Sequence, residues 1–215
     1  MYKGVALDFD GVIAQTEELH RKTFEEVLSD YNANFNIDRW YRDFAGTGSY
    51  NIMKRLFDEY KVDGSVEDFV NRRRDIFTEH VGRGEIEFTE GLEDFLKRMK
   101  DANIKVAVAS GGHHNYIELA LKNSNLSEYF CAIISGDVVG EKKPHPETFV
   151  TAAQKMGFEP VDCVAVEDSP NGLMSAAGAG MYVICMDSPA RKNLKGCGTV
   201  IHNFTEFPFG MMGIE

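Results

Sequence analysis

Short, almost unbroken apolar runs alternate along the chain with longer stretches in which apolar residues recur every three or four positions. The runs at 5–9, 104–109, 131–135, 163–166 and 181–185, with a shorter one at 199–202, predict strands. They lack the polar alternation of a half-exposed sheet, so both of their faces should be buried. Between them, Leu92, Phe95, Leu96 and Met99 follow the i, i+3, i+4, i+7 spacing of an amphipathic helix. Ser169-Pro170 reads as an N-cap with proline at the first helical position, and Gly178 and Gly180 mark the stop. This order predicts an α/β fold built on a parallel sheet.

One stretch breaks the alternation. Residues 16–88 contain no convincing strand, only helical stripes. Phe24, Val27, Leu28 and Tyr31 form the first; Ile52, Met53, Leu56, Phe57 and Tyr60 the second; Phe69, Val70, Ile76 and Phe77 the third. A crossover between parallel strands needs only about a dozen residues. The surplus predicts a helical domain, 16–87, inserted after the first strand of a core made of 1–15 and 88–215. Within it, Arg72-Arg73-Arg74 reads as a solvated helix face, with an anion site as the alternative.

Composition narrows the function. Thirty-four Asp and Glu against 23 Lys and Arg give a net charge of −11 over 215 residues. Sequence-independent nucleic-acid binding rests on clustered basic groups that neutralise phosphates, so no nucleic-acid partner is expected. No apolar run approaches the roughly 18 residues of a membrane span, and the first residues do not read as a leader. The expectation is a cytoplasmic protein with no membrane partner, its oligomeric state left open and compatible with a monomer. Cys131, Cys163, Cys185 and Cys197 have neither CxxC nor His-paired spacing and are expected as reduced thiols, with no disulfide framework and no zinc site.

Candidate chemistry gathers where the predicted strands end. The first leads into Asp8-Phe9-Asp10-Gly11-Val12, and residues two apart on a strand point the same way. Two carboxylates so close repel unless a cation or a proton intervenes. The second strand ends at Ser110-Gly111-Gly112 before a helix, a hydroxyl with unhindered N–H groups suited to an anion. After the third comes Gly140-Glu141-Lys142-Lys143-Pro144-His145-Pro146, whose prolines could aim a lysine inward. The fourth ends at Glu167-Asp168-Ser169-Pro170. Hard oxygen donors without His or Cys suit Mg²⁺ rather than zinc. In an open parallel sheet all four segments would converge on one crevice beyond the carboxyl ends.

In these four segments the sequence resembles the haloacid dehalogenase superfamily, in the branch with a helical cap inserted after the first strand of a Rossmann-like core. That branch includes β-phosphoglucomutases, sugar-phosphate phosphatases and phosphoglycolate phosphatases. Asp8-Phe9-Asp10-Gly11-Val12 matches the first motif, Ser110 the second and Lys143, directly before proline, the third. Val166-Glu167-Asp168-Ser169-Pro170-Asn171-Gly172 matches the fourth. A second lysine, Lys142, departs from the pattern and leaves open which of the two reaches the phosphate.

The resemblance implies that Asp8 attacks phosphorus to form an aspartyl-phosphate. Asp10 would protonate the leaving oxygen and then serve as base toward water. Mg²⁺ would be held by Asp8, the Asp10 main chain, Asp168 and Glu167, while Ser110, Gly111 and Lys143 bind phosphate. An acid at position 10 favours phosphate esters over carbon–halogen or carbon–phosphorus bonds. The cap would supply specificity contacts, with Thr16, His20, Gly46, Thr47 and Ser49 as candidates. The expected substrate is a small phosphorylated metabolite, with a sugar phosphate as the first expectation. Phosphoryl transfer of the β-phosphoglucomutase type is the alternative: Thr16 and His20 fit it, but Ser49 stands where those mutases carry an arginine, and no arginine follows until Arg55. A signalling receiver domain shares the acid, hydroxyl and lysine set, but would carry its phosphorylated Asp on a later strand and lack the insertion.

Overall fold

Valine or leucine and alanine take turns along the central strands, and that alternation sorts the two faces of the sheet. The structure, a computed structural model, describes residues 1–187 and 196–215. Among these, β1 (Gly4–Leu7), β2 (Ala14–Gln15), α1 (Glu17–Val27), α2 (Ile37–Asp43), α3 (Ser49–Tyr60) and α4 (Val66–Gly82) are followed by β3 (Glu87–Phe88) and α5 (Leu92–Asp101). Then come β4 (Lys105–Ala109), α6 (His114–Asn123), β5 (Phe130–Ile134), α7 (Glu147–Met156), β6 (Cys163–Glu167), α8 (Pro170–Ala179), β7 (Tyr182–Met186) and β8 (Thr199–Ile201).

Six strands form a parallel sheet in the order β5-β4-β1-β6-β7-β8. The chain moves outward from β1 to β4 and β5, then returns to the other side of β1 for β6. Strand order therefore reverses beside β1, which is where open α/β sheets bind ligands. Ala6 of β1 is level with Ala107 of β4 and Ala165 of β6. This row of small residues leaves room for the larger side chains of α7, and Phe149, Ala152 and Met156 pack there fully buried. Burying such a phenylalanine contributes about 2–3 kcal/mol. On α5, the predicted stripe Leu92, Phe95, Leu96 and Met99 is buried throughout.

Contacts divide the chain into two compact units, Met1–Gln15 with Glu87–Glu215, and Thr16–Ile86. The second has its own aromatic-rich core, including Phe24, Phe35, Trp40, Phe44, Met53 and Leu56. No helix among the described residues is long and apolar enough to cross a membrane.

Three expectations need correction. A strand does lie within 16–88: β3 pairs antiparallel with β2, so the chain leaves and re-enters the first unit through a two-residue ladder. Four residues give too little periodicity to read. The arginine run is not a uniformly solvated face: Arg72 is exposed, but Arg73 is buried. Helical spacing puts Arg73 one turn from Phe69 and Phe77, on the inward side. Finally, the cysteines are not all thiols, because Cys185 and Cys197 form a disulfide. Gly198 N–H donates to Val183 O on the neighbouring strand, which brings Cys197 beside Cys185, their Cα atoms 5.6 Å apart. Cys163 is a buried thiol as expected, whereas Cys131 is exposed.

Candidate active site

The first loop is shaped by its backbone. Asp8 N–H still donates to Val166 O, extending the sheet by one residue. The chain then turns tightly, with the N–H groups of Ile13 and Ala14 both donating to Phe9 O at 3.0 Å. Gly11 adopts a φ of +82°, and a Cβ there would stand 2.1 Å from Asp168 Oδ2. Only glycine lets this turn approach the end of β6.

Lys143 ties the segments together. Its Nζ donates to Asp8 Oδ1 at 3.0 Å, Ala109 O at 2.8 Å and Glu167 Oε1 at 2.6 Å. Lys142 is exposed, so of the two lysines it is Lys143 that meets Asp8 and Glu167. Glu167, fully buried, accepts at its other oxygen from the N–H groups of Asp168 and Ser169 and from the Ser169 hydroxyl. Ser169 in turn caps α8 by accepting from Gly172 N–H, as the sequence predicts. Burial, reinforced by Glu167, pushes the Asp8 carboxyl up to about 7 against the opposing pull of Lys143. For Lys143, burial lowers the ammonium's pKa, but Asp8 and Glu167 outweigh it and hold the net value above the usual lysine range.

Ser110 is buried at the end of β4, where its N–H donates to Ile134 O and its Oγ accepts from Gly112 N–H. Gly111 is exposed beside it. Asp10 meets a residue that sequence reasoning missed: the Tyr116 hydroxyl donates to Asp10 Oδ2 at 2.5 Å. Nothing in the sequence singles out Tyr116 except its place in the first turn of α6.

The candidates in the second unit fall in three places. His20 and Ser49 meet around Arg73, whose guanidinium donates to Ser49 Oγ at 3.3 Å, to Thr23 Oγ1 at 3.0 Å and to His20 Nδ1. A guanidinium only donates, so His20 Nδ1 accepts and the ring proton lies on Nε2. Arg73 also lies over the rings of Phe24 and Phe77. Thr16 is buried at the start of α1. Gly46 and Thr47 form the turn before α3, where both Thr47 N–H and its hydroxyl donate to Phe44 O.

Comparison with known proteins bears on this arrangement. Residues 5–186 match the family model described as haloacid dehalogenase-like hydrolase. The chain is a haloacid dehalogenase-like hydrolase. Among curated relatives of this hydrolase, protein CbbY of Cereibacter sphaeroides is 30% identical over 100% of this chain and 97% of its own. The fructose-1-phosphate phosphatase YqaB of Escherichia coli is 31% identical over 85% and 95%. A crystal structure of CbbY from Rhodobacter sphaeroides in complex with xylulose-(1,5)-bisphosphate superposes with a TM-score of 0.84, at 28% identity and 97% coverage of both chains. With its family and a relative named as a phosphatase, this hydrolase is an enzyme of phosphatase type.

A metal fits the hydrolase's donor set. Asp8, Glu167 and Asp168, all buried, each bring a carboxylate oxygen within 4.8 Å of the others. Both Glu167 oxygens already accept hydrogen bonds, so Asp8 and Asp168 are the better placed donors. Three such acids against one nearby ammonium leave an excess of negative charge, and hard carboxylate oxygens suit a hard divalent cation. Burial first, and then the neighbouring carboxylates, hold the Asp8 carboxyl up at about 7.

Proposed function

We propose that this hydrolase is a Mg²⁺-dependent phosphatase that cleaves a small sugar phosphate through an aspartyl-phosphate on Asp8. The observation that carries the reading is Lys143 bridging Asp8 and Glu167 beside Asp168, at the ends of β1 and β6. One carboxylate at the edge of the sheet is thereby aimed and partly neutralised by a fixed ammonium.

The chain's own groups account for the steps. Asp8 attacks phosphorus as the ester P–O bond breaks. Asp10 gives its proton to the departing alkoxide, a poor leaving group without it. Water then attacks the aspartyl-phosphate, Asp10 takes a proton from it, and inorganic phosphate leaves with Asp8 restored. Lys143, Ser110 and the Gly111 N–H complement the phosphoryl oxygens. Mg²⁺, held by Asp8, Asp168 and the Asp10 main chain, would supply further charge to offset repulsion between Asp8 and phosphate. Glu167 is committed to Lys143 and to the start of α8, so its part is to position the other groups.

The relative named for fructose 1-phosphate and the CbbY complex with xylulose bisphosphate support a sugar phosphate as the substrate class. A second reading is phosphoryl transfer within a hexose phosphate. The observation that favours it is an arginine beside Ser49, Arg73 of α4, although its buried guanidinium is already bonded to Thr23, Ser49 and His20. A panel of phosphorylated sugars, including fructose 1-phosphate and β-glucose 1-phosphate, separates the readings. Released phosphate supports the phosphatase; glucose 6-phosphate without phosphate release overturns it in favour of the mutase.

A further inference from the structure

We infer that Tyr116 is a positioning residue that holds the Asp10 carboxyl in the orientation from which it transfers its proton. The inference rests on the reading of Asp10 as general acid and extends it to a residue outside the four motifs.

Tyr116 is 4% exposed and sits in the first turn of α6, its ring edge-on to Phe9 at 5.7 Å between centroids. Its hydroxyl reaches Asp10 Oδ2 at 2.5 Å, the short range of hydrogen bonds to a carboxylate. The approach is kept open by a missing side chain: a Cβ on Gly112 would lie 1.8 Å from the Tyr116 hydroxyl oxygen. Packing against Phe9, next to Asp10 in sequence, holds phenol and carboxylate in register.

The chemistry follows from that bond. The phenol donates to Oδ2 and so holds the plane of the carboxyl at one of its oxygens. In the first step the Asp10 O–H bond breaks and its proton passes to the leaving oxygen as the P–O bond breaks, while the phenol keeps its own proton. In the second, a water proton returns to Asp10 as the water oxygen bonds phosphorus. Without the phenol, Asp10 loses one of the bonds that hold its orientation, a loss felt only where proton donation limits the rate.

The test is Tyr116→Phe, which keeps the ring, assayed as kcat/KM on p-nitrophenyl phosphate and on fructose 1-phosphate. The expected result is about a tenfold loss on the alkyl ester and less than about twofold on the aryl ester, whose leaving group needs little proton assistance. Equal losses on both esters, or none, overturn the inference. The same change is also made in an Asp10→Asn background, where it should add no further loss on the alkyl ester. An additive loss means that Tyr116 acts through packing and overturns the inference even if Tyr116→Phe alone melts early. If the wild type hydrolyses neither ester, it is the phosphatase reading that fails.

Discussion

Lys143 and Glu167 form a buried ion pair, with Nζ 2.6 Å from Oε1 and their side chains 8% and 0% exposed. Removing one partner of such a pair strands the other's charge, at a cost of about 3–5 kcal/mol. Lys143→Met should therefore lower the denaturation midpoint markedly as well as abolish turnover. A melting curve unchanged from wild type would show that the pair does not support the fold.

Asp8→Asn should behave differently. Burial already disfavours the Asp8 carboxylate, raising its pKa to about 7, so a neutral amide there costs little stability. We expect turnover to vanish while the melting temperature stays within about 3 °C of wild type. Residual activity above a few per cent would remove Asp8 as the nucleophile.

Chelation with EDTA should stop hydrolysis, and added Mg²⁺ should restore it. Mg²⁺ should also raise the melting temperature in a concentration-dependent way, because a ligand bound only by the folded state stabilises it. Asp168→Asn should abolish that shift. Full activity in EDTA would refute the metal assignment.

Two glycines of the site should part company. A Cβ on Gly172 would lie 1.6 Å from Glu167 Oε1, whereas one on Gly111 would meet nothing within 4 Å. Gly172→Ala should destabilise by about 1–3 kcal/mol, measured by urea denaturation. Gly111→Ala should stay within about 0.5 kcal/mol, so any loss of activity it shows reports on phosphate binding.

The helical unit should carry its own acid sensitivity. His80 Nδ1 lies 2.7 Å from Glu85, with Lys22 and Arg83 also near, and the His80 hydrogen bond holds the Glu85 carboxyl below its usual range. A depressed carboxyl contributes stability above its unfolded pKa and loses it as pH falls through the lower folded value. Glu85→Gln should thus lower the melting temperature at pH 7, and the gap to wild type should narrow toward pH 3. An equal gap at both would assign the effect to shape rather than charge.

Much of the site was legible because its groups stand at chain positions that a parallel sheet forces together. Asp8, Ser110 and Asp168 each follow a strand whose apolar run is plain, and β1, β4 and β6 are neighbours. What escaped depends on contacts without periodicity. Arg73 hides in a charged run, and only its phase relative to Phe69 and Phe77 turns it inward. Cys197 meets Cys185 because β8 lies beside β7, a pairing that spacing alone does not reveal. Tyr116 reads as a core aromatic, and its hydroxyl gains meaning only when Gly112 opens the way to Asp10. Lys142 and Lys143 are equivalent as letters; one is exposed and the other enclosed by two carboxylates.

Glu167 receives hydrogen bonds from a lysine on one loop and from the first residues of a helix, and Gly172 has no side chain because that carboxylate occupies its space. The acid is thus a keystone: pulling it out loosens three segments at once. A screen that scores only lost turnover would collect position 167 among its hits and mistake collapse for chemistry. Substrate-trapping forms of this hydrolase are better sought at Asp8, where the reacting atom can be changed while the arch stands.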